Sequence, residues 1–505
     1  MGGNIAIVNG RVLTRDPSTP RAEAVLIRDG RVSLVGTTKD VIAVSGGADE
    51  LDAGGRTVVP GFIDGHSHVE GTCVALGYQL PVHSPPYSSL AAIGDRIREE
   101  RQNGRRGWLV CRSSFRLQEK VAEGRLFTRA ELDAVSPDEP VGVLAGLHVA
   151  QLNTAAMKDL GVIGGEVPHG SVVHTDEAGE PTGVVTEISH LMPLGTIEET
   201  KDAIRAKFAE LFTANGVTTV HTMPKTVDQH DALTTLVRDR EIPVRARLYH
   251  FPWVTSVDQM IERGWARGDG DDFLRFGGVK VFIEGGHGAG GTLHWTEDEL
   301  TDFLGRCHAA DYQVFMHAVS EHGIRMTAKC IGTVEQRDPK GLRHRVEHGG
   351  DWIDPADIPW AQSTGALLVT TPQFMYSRGD LERNGAPLRS LIDAGFHPIG
   401  GSDSTGTVPD GIAPLFNIAL AVARRRPDGS ANNLPEAITL DEGLRLFTGW
   451  AAAGAFEENE KGALRPGLLG DAALLSHDIE SVRPEELFGV SVTHTVLDGD
   501  VVFER

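Results

Sequence analysis

Between about residues 200 and 460, short apolar runs alternate with stretches in which apolar positions return every three or four residues. The first kind suits buried strands and the second suits helices packed on one face, so the alternation predicts parallel strands joined by helices. The candidate strands are GVTTVHT at 216–222, PVRARLY at 243–249, GVKVFI at 278–283, YQVFMHA at 312–318, RHRVEH at 343–348, ALLVTT at 366–371 and HPIGGSD at 397–403. TVVPGFID at 57–64 makes eight. Most starts recur near the ~30-residue spacing of a βα unit, which predicts an α/β chain built on a (β/α)8 TIM-type barrel. One connecting helix is explicit: Thr296 and Glu299 form a capping box, and Leu300, Phe303, Leu304 and Cys307 follow at helical spacing.

The ends of the chain follow another pattern. NIAIVNGRVLT and AEAVLIRDGRVSLVG near the start, and DAALLSH and VTHTVLDGDVVF near the finish, are β-type runs with Asn-Gly or Asp-Gly at the turns. They predict one small β-sandwich domain built from residues 1–57 and 462–505. The barrel then takes 58–71 and 200–461. Residues 72–199 are too many for a loop and predict an α+β insertion or lid. Within it, AAIGDRIREERQNG reads as helix, PVGVLAGLHV as strand and TDEAGEPTG as a polar turn.

Composition narrows the partners more than the fold. A hydrophobic fraction of 40% with 23% charged residues describes an ordinary globular chain. A formal charge of −22 opposes broad binding to nucleic acid or to an anionic membrane, and no apolar run approaches the roughly 18 residues of a transmembrane helix. The four cysteines form no CxxC pair, and the N-terminus lacks a basic segment leading into an apolar run, so reduced thiols and a cytoplasmic location are expected.

In a parallel barrel, reacting groups stand at the carboxyl ends of the strands. His66 and His68 follow the first strand, Lys280 lies within the fourth, His317 ends the fifth, His348 ends the sixth and Asp403 ends the eighth. Taken singly, each has an ordinary explanation: a hydrogen-bonded histidine, a turn-forming aspartate, a lysine in a salt bridge with Glu284. Lys280 is the most informative, because it interrupts an apolar strand and a buried ammonium must be paired, deprotonated or modified. The pair His66-Ser67-His68 has the spacing that turns both rings to one side of an extended backbone.

The motifs PGFIDGHSH at 60–68, GGVKVF at 277–282, FMHAV at 315–319, RVEHGG at 345–350 and GSDS at 401–404 resemble the amidohydrolase superfamily, in particular amidohydrolase family 3. FTRAELDAVSPDEPV, GEPTGVVTE and GLLGDAALLS extend the resemblance over nearly the whole chain. It implies a binuclear centre of two divalent ions, zinc first, with His66 and His68 on one, His317 and His348 on the other, Lys280 carboxylated by CO2 as a bridge, and Asp403 touching the first. It implies hydrolysis of a C–N bond of a small molecule (amide, N-acyl, N-formyl or carbamate) by metal-activated hydroxide, with Asp403 as general base and acid. Substrate contacts are expected from His148, His221, Glu284, His287, Phe374 and Tyr376, and a homodimer as the assembly. Aromatic residues Tyr78, Tyr87, Trp108 and Phe115 of the insertion suggest an apolar or aromatic substrate portion.

The loop FIEGGHGAGG departs from the family pattern at Glu284, where relatives usually carry Asp, so substrate choice is in doubt there. Competing readings are deamination, cyclic amide ring opening or decarboxylation on the same centre, a non-catalytic scaffold, and a dinucleotide-binding oxidoreductase suggested by the GxGxxG of residues 286–291.

Overall fold

The structure, a computed structural model, describes the chain apart from residues 1, 165, 166, 169, 286–291, 378–384, 405–408, 427 and 428 and the side chains of 376, 377 and 409. Eight parallel strands form one sheet in sequence order: β1 (Phe62–Ser67), β2 (Val217–Thr222), β3 (Arg245–His250), β4 (Leu274–Phe282), β5 (Gln313–His317), β6 (Arg345–Glu347), β7 (Leu367–Thr370) and β8 (Ile399–Gly400). The alternation of apolar runs with helical stretches thus becomes the barrel it predicts.

Closure between β8 and β1 is made by hydrogen bonds around Asp64 and His66. Ser402 N–H donates to Asp64 Oδ1 at 2.8 Å, and Asp403 N–H donates to the His66 carbonyl at 2.8 Å. Gly401 allows this approach, since a Cβ there would stand 2.5 Å from His66 Cβ.

The first strand differs from its expected span. Thr57–Pro60 belongs to a separate six-stranded sheet, where it lies between Arg11–Leu13 and Ala472–Leu475, and the barrel strand begins only at Phe62. Gly61 is the bend. A single apolar run therefore serves two sheets, which its uniform hydrophobicity could not reveal. A four-stranded sheet containing Ile5–Val8 and Ala24–Arg28 packs on this one through Ile5, Ile7, Val25, Ile27, Val58, Leu474 and Val496. Residues from both ends of the chain share that core.

Between β1 and β2 the chain builds a mixed sheet of six strands, with Leu109–Ser113, Val141–Ala145, Val149–Leu152 and Pro181–Thr186 at its centre. The run PVGVLAGLHV holds the strand Val141–Ala145 and the turn that leads into its antiparallel neighbour Val149–Leu152. The charge-rich stretch forms the helix Leu90–Gln102, capped by Ser89 and burying Leu90, Ile93 and Ile97.

Around the barrel, helices bury one face each. In Glu297–Ala309 the capping box of Thr296 and Glu299 is present, and Leu300, Leu304 and Cys307 face the core with Val279, Val281, Val314 and Met316. Burying such an aliphatic side chain contributes about 1.5–3 kcal/mol. The opposite side chains of the same strands point into the barrel. Register sets Lys280 beside Phe315 and Phe315 beside Arg345, and one layer toward the carboxyl end sets Phe282 beside His317 and His317 beside Glu347.

Candidate metal centre

Three histidine rings are held by their Nδ1 atoms so that each Nε2 is left for something else. His66 Nδ1 is bonded to Glu347, whose carboxylate is held in turn by Arg345 at 2.7 and 2.8 Å. His68 Nδ1 faces the Met223 carbonyl at 3.4 Å, and His348 Nδ1 faces Thr371 Oγ1 at 3.2 Å. This fixes the orientation of all three rings, and at His66 and His68, whose partners only accept, it places the proton on Nδ1 as metal-ligating imidazoles require. The Nε2 atoms of His66 and His68 approach Asp403 Oδ1 at 3.5 and 3.4 Å. The pair separated by one residue does meet one point, as extended backbone predicts.

Donor atoms of His66, His348 and Asp403 all lie within 4.8 Å of one another. This tight group crosses the expected division of ligands between two ions. His317 joins it through His348, with ring centroids 4.9 Å apart. Both His348 and Asp403 have left-handed backbone, φ 68° and 43°, at strand ends where the chain turns its side chains over the barrel mouth. Asp64 anchors this turn, accepting from His66 N–H and from the backbone and hydroxyl of Ser402.

Lys280 is fully buried, and among the described residues its Nζ has no hydrogen-bond partner. The salt bridge to Glu284 is not formed. Burial pushes the Lys280 ammonium down to about 8, against the pull of Glu347 and Asp403. Burial likewise lowers His68 to about 4 and holds His66 and His348 below the usual range. Burial alone would raise Asp403, yet the bond to His68 and the nearby His348 and His66 outweigh it and keep the carboxyl ionised. The set therefore offers neutral imidazoles, a carboxylate and a buried lysine nitrogen that has no hydrogen-bond partner among the described residues. That donor chemistry suits a divalent metal ion.

Of the residues expected to meet substrate, His148 lies tilted against His317 with ring centroids 4.6 Å apart, and Phe374 lies 5.4 Å from His348. His221 is turned to Arg345, with Nδ1 3.3 Å from the guanidinium. Glu284 accepts from the backbone N–H groups of Val319 and Ser320, and so holds the segment that follows His317. His287, the GxGxxG loop and the Tyr376 side chain lie outside the described residues. Among the insertion aromatics, Tyr87 and Trp108 pack within that domain.

Sequence reasoning missed Glu347, Glu187 and Lys225. Glu347 precedes His348 in RVEH and shares its strand's inward row with Arg345. Glu187 bonds His148 Nδ1 at 2.9 Å from another part of the insertion. Lys225 follows β2 by three residues, a position that the rule of carboxyl ends marks.

A second group, His308, Glu335 and His344, also has ligand-like spacing. Its ring nitrogens are already engaged: Val314 N–H donates to His344 Nδ1 at 3.1 Å, His344 Nε2 meets His308 Nδ1 at 3.0 Å, and His308 Nε2 meets the Asp338 carbonyl at 2.7 Å. It reads as a structural relay.

Fold and site together define a (β/α)8 barrel with a histidine-aspartate centre at its carboxyl end. The profile of the amidohydrolase family matches residues 49–503, and the chain belongs to that family. An N-substituted formamide deformylase of Arthrobacter pascens is 25% identical, over 99% of this chain and 98% of its own. A metal-dependent hydrolase of Pyrococcus horikoshii superposes with a TM-score of 0.71 at 21% identity, covering 95% of this chain and 99% of that one. Atrazine chlorohydrolase TrzN of Arthrobacter aurescens, solved with zinc, superposes at 0.59 and 15% identity, covering 99% and 95%. No described helix is long and apolar enough to cross a membrane.

Proposed function

We propose that the protein hydrolyses an amide-like C–N bond of a small molecule at a centre of divalent metal, with His66, His68, His317, His348, Lys280 and Asp403 as its ligands. The observation that carries this is the convergence of His66 and His68 Nε2 on Asp403 Oδ1, beside a buried Lys280 nitrogen with no hydrogen-bond partner among the described residues. When bound, divalent ions supply Lewis acidity, making a water acidic enough to attack near neutral pH and drawing charge from a carbonyl oxygen. Asp403, ionised and at the same point, accepts the proton of the attacking water and returns it to the departing nitrogen. Glu347 keeps His66 in one tautomer, and Thr371 orients His348. Burial makes the Lys280 nitrogen easier to deprotonate, and its deprotonated fraction could take up CO2: the nitrogen would bond the carbon, a proton would leave, and the carbamate would offer oxygens to the metal. Zinc is the first metal to test, since TrzN was solved with it.

N-formyl amines are the first substrates to try, because the Arthrobacter pascens relative is a formamide deformylase. N-acyl amines, carbamates and cyclic amides follow, with released amine as the readout. In Asp403→Asn, hydrolysis should fall about 10²–10⁴-fold with the fold intact. A fully active Asp403→Asn enzyme would overturn the mechanism.

A further inference from the structure

The barrel has a second cavity, of about 400 Å³, at the amino end, away from the chemistry above. Its walls come from β3, the start of β4, the turn before β4 and residues 455–460. Gly277 lets the Tyr249 ring lie against β4, since a Cβ there would stand 2.5 Å from it. The Tyr249 hydroxyl then donates to Gln313 Oε1 at 2.8 Å, and Gln313 Nε2 donates to the Arg343 and Gly454 carbonyls at 2.6 and 2.9 Å. The floor is thus polar but fully partnered. Gly268 and Gly270 on the rim are exposed, so solvent reaches the cavity.

Charge on these walls does not balance. Arg247, Arg267 and Arg275 face two carboxylates, Glu457 and Glu460. Arg247 is bonded to Glu457, and Arg275 reaches Glu457 at 3.2 Å and Glu460 at 2.7 Å. Arg267 is left over. Among the described residues its guanidinium makes no ion pair or hydrogen bond, and its Nε is sealed from water. Asp311, the carboxylate that acts on it, is taken by Lys340 at 2.8 Å. An arginine does not shed its proton, so the surplus charge persists at any ordinary pH.

Arg267 is also held in place. Its guanidinium lies 3.7 Å from the centre of the Phe456 ring, and Arg343, paired with Glu458 at 2.8 Å, stands 4.4 Å from the same ring. Phe456 has left-handed backbone, φ 64°, which a bulky residue adopts only where its surroundings impose it. Phe276 and Tyr249 extend this aromatic wall. The volume falls at the small end of ligand pockets, roughly 300–1,000 Å³.

We propose that this cavity binds a small organic monocarboxylate, its charge on Arg267 and its apolar or aromatic body against Phe276, Phe456 and Tyr249. One surplus cation asks for one negative charge, and the aromatic wall asks for more than a bare inorganic ion. The rival is an arginine that only covers Phe456.

Calorimetry on the metal-loaded protein decides between them, with benzoate, its neutral counterpart benzamide and inorganic phosphate as probes. The wild type should bind benzoate at least about tenfold tighter than benzamide, the scale of a charge-assisted hydrogen bond. A carboxylate can also reach metal ions, so two variants far from them carry the assignment. Arg267→Met should weaken benzoate at least about tenfold, and Glu460→Gln, which removes a competing carboxylate, should tighten it about threefold. Both should keep amide hydrolysis within about twofold of wild type. Benzoate affinity unchanged in both variants, or no benzoate binding by the wild type, overturns the site. Phosphate bound as tightly as benzoate, and lost with it in Arg267→Met, overturns the organic acid. If Arg267→Met does not fold, the opposite response of Glu460→Gln decides alone, and its absence refutes the proposal.

Discussion

At the amino end of the barrel, Arg245 donates to both oxygens of Asp471 at 2.8 and 2.9 Å and to Asp498 at 3.1 Å. Beside it Arg247 is bonded to Glu457, Glu457 lies 3.1 Å from Lys461, and Arg275 reaches Glu460 at 2.7 Å. At the carboxyl end, Lys280 and Lys225 are as deeply buried, yet among the described residues neither has a carboxylate within ion-pair distance. Around Arg245 and Arg247 the amino end repeats cation and anion until each of these charges is offset, and it joins β3 to the chain's last segment. The carboxyl end leaves positive charge uncompensated beside neutral imidazoles. Paired buried charge holds a fold together, whereas unpaired buried charge prepares a place for metal, CO2 or an anion.

That contrast can be broken from the carboxyl end first. Lys280→Met should lower metal content and hydrolysis together by more than about a hundredfold, beyond what losing a ligand's hydrogen-bond partner costs. The metal-free variant should melt no lower than metal-free wild type, because methionine removes an ammonium that no hydrogen bond offsets. Metal analysis with thermal denaturation checks both, and a normal metal load would refute the bridging role of Lys280.

The amino end should answer in the opposite sense. Arg245→Met leaves Asp471 buried without its partner and should cost about 3–5 kcal/mol in denaturant unfolding, with kcat/KM of the folded fraction unchanged. A large kcat/KM change with little loss of stability would erase the distinction between the ends.

A smaller effect follows from Glu457. Burial alone would raise it, but Lys461, Arg247 and His221 outweigh burial and hold it at about 2, while burial and Arg247 push Lys461 down to about 7. The carboxylate is the partner to follow, since two cations face it at once. Its folded value lies below its ordinary 4.5, so its stabilisation is present above pH 4.5 and is lost as pH falls through about 2. Glu457→Gln should therefore be less stable at pH 7, by on the order of 3 kcal/mol, and the gap should narrow as pH drops below 4.5. A gap that does not change with pH in urea titrations would mean that the pair is not charged.

Legibility in the sequence varied with the range of the interaction. The helix after Thr296 was readable to its cap, because a capping box and an apolar stripe are contained within a dozen or so consecutive residues. His66, His68, His348 and Asp403 were readable because they terminate strands. Glu187 was not, since its bond to His148 joins segments that only the insertion's sheet brings together. Lys225 carries no such signal, because a loop lysine is usually solvated, and only the packing of Phe282 and Ser189 around it shows that this one is buried.

By itself the sequence determined the eight parallel strands, the β-rich ends and the residue types at the barrel mouth, because strand and helix periods are local and the chain must bury its apolar faces. Tertiary structure alone decided that Thr57–Pro60 leaves the barrel for another sheet, that Glu347 orients His66, and that Lys280 and Lys225 are buried with no carboxylate of the described residues at ion-pair distance. Those outcomes depend on which side chains meet across a closed barrel. Contacts between residues hundreds of positions apart are set by register and closure, which no local pattern encodes.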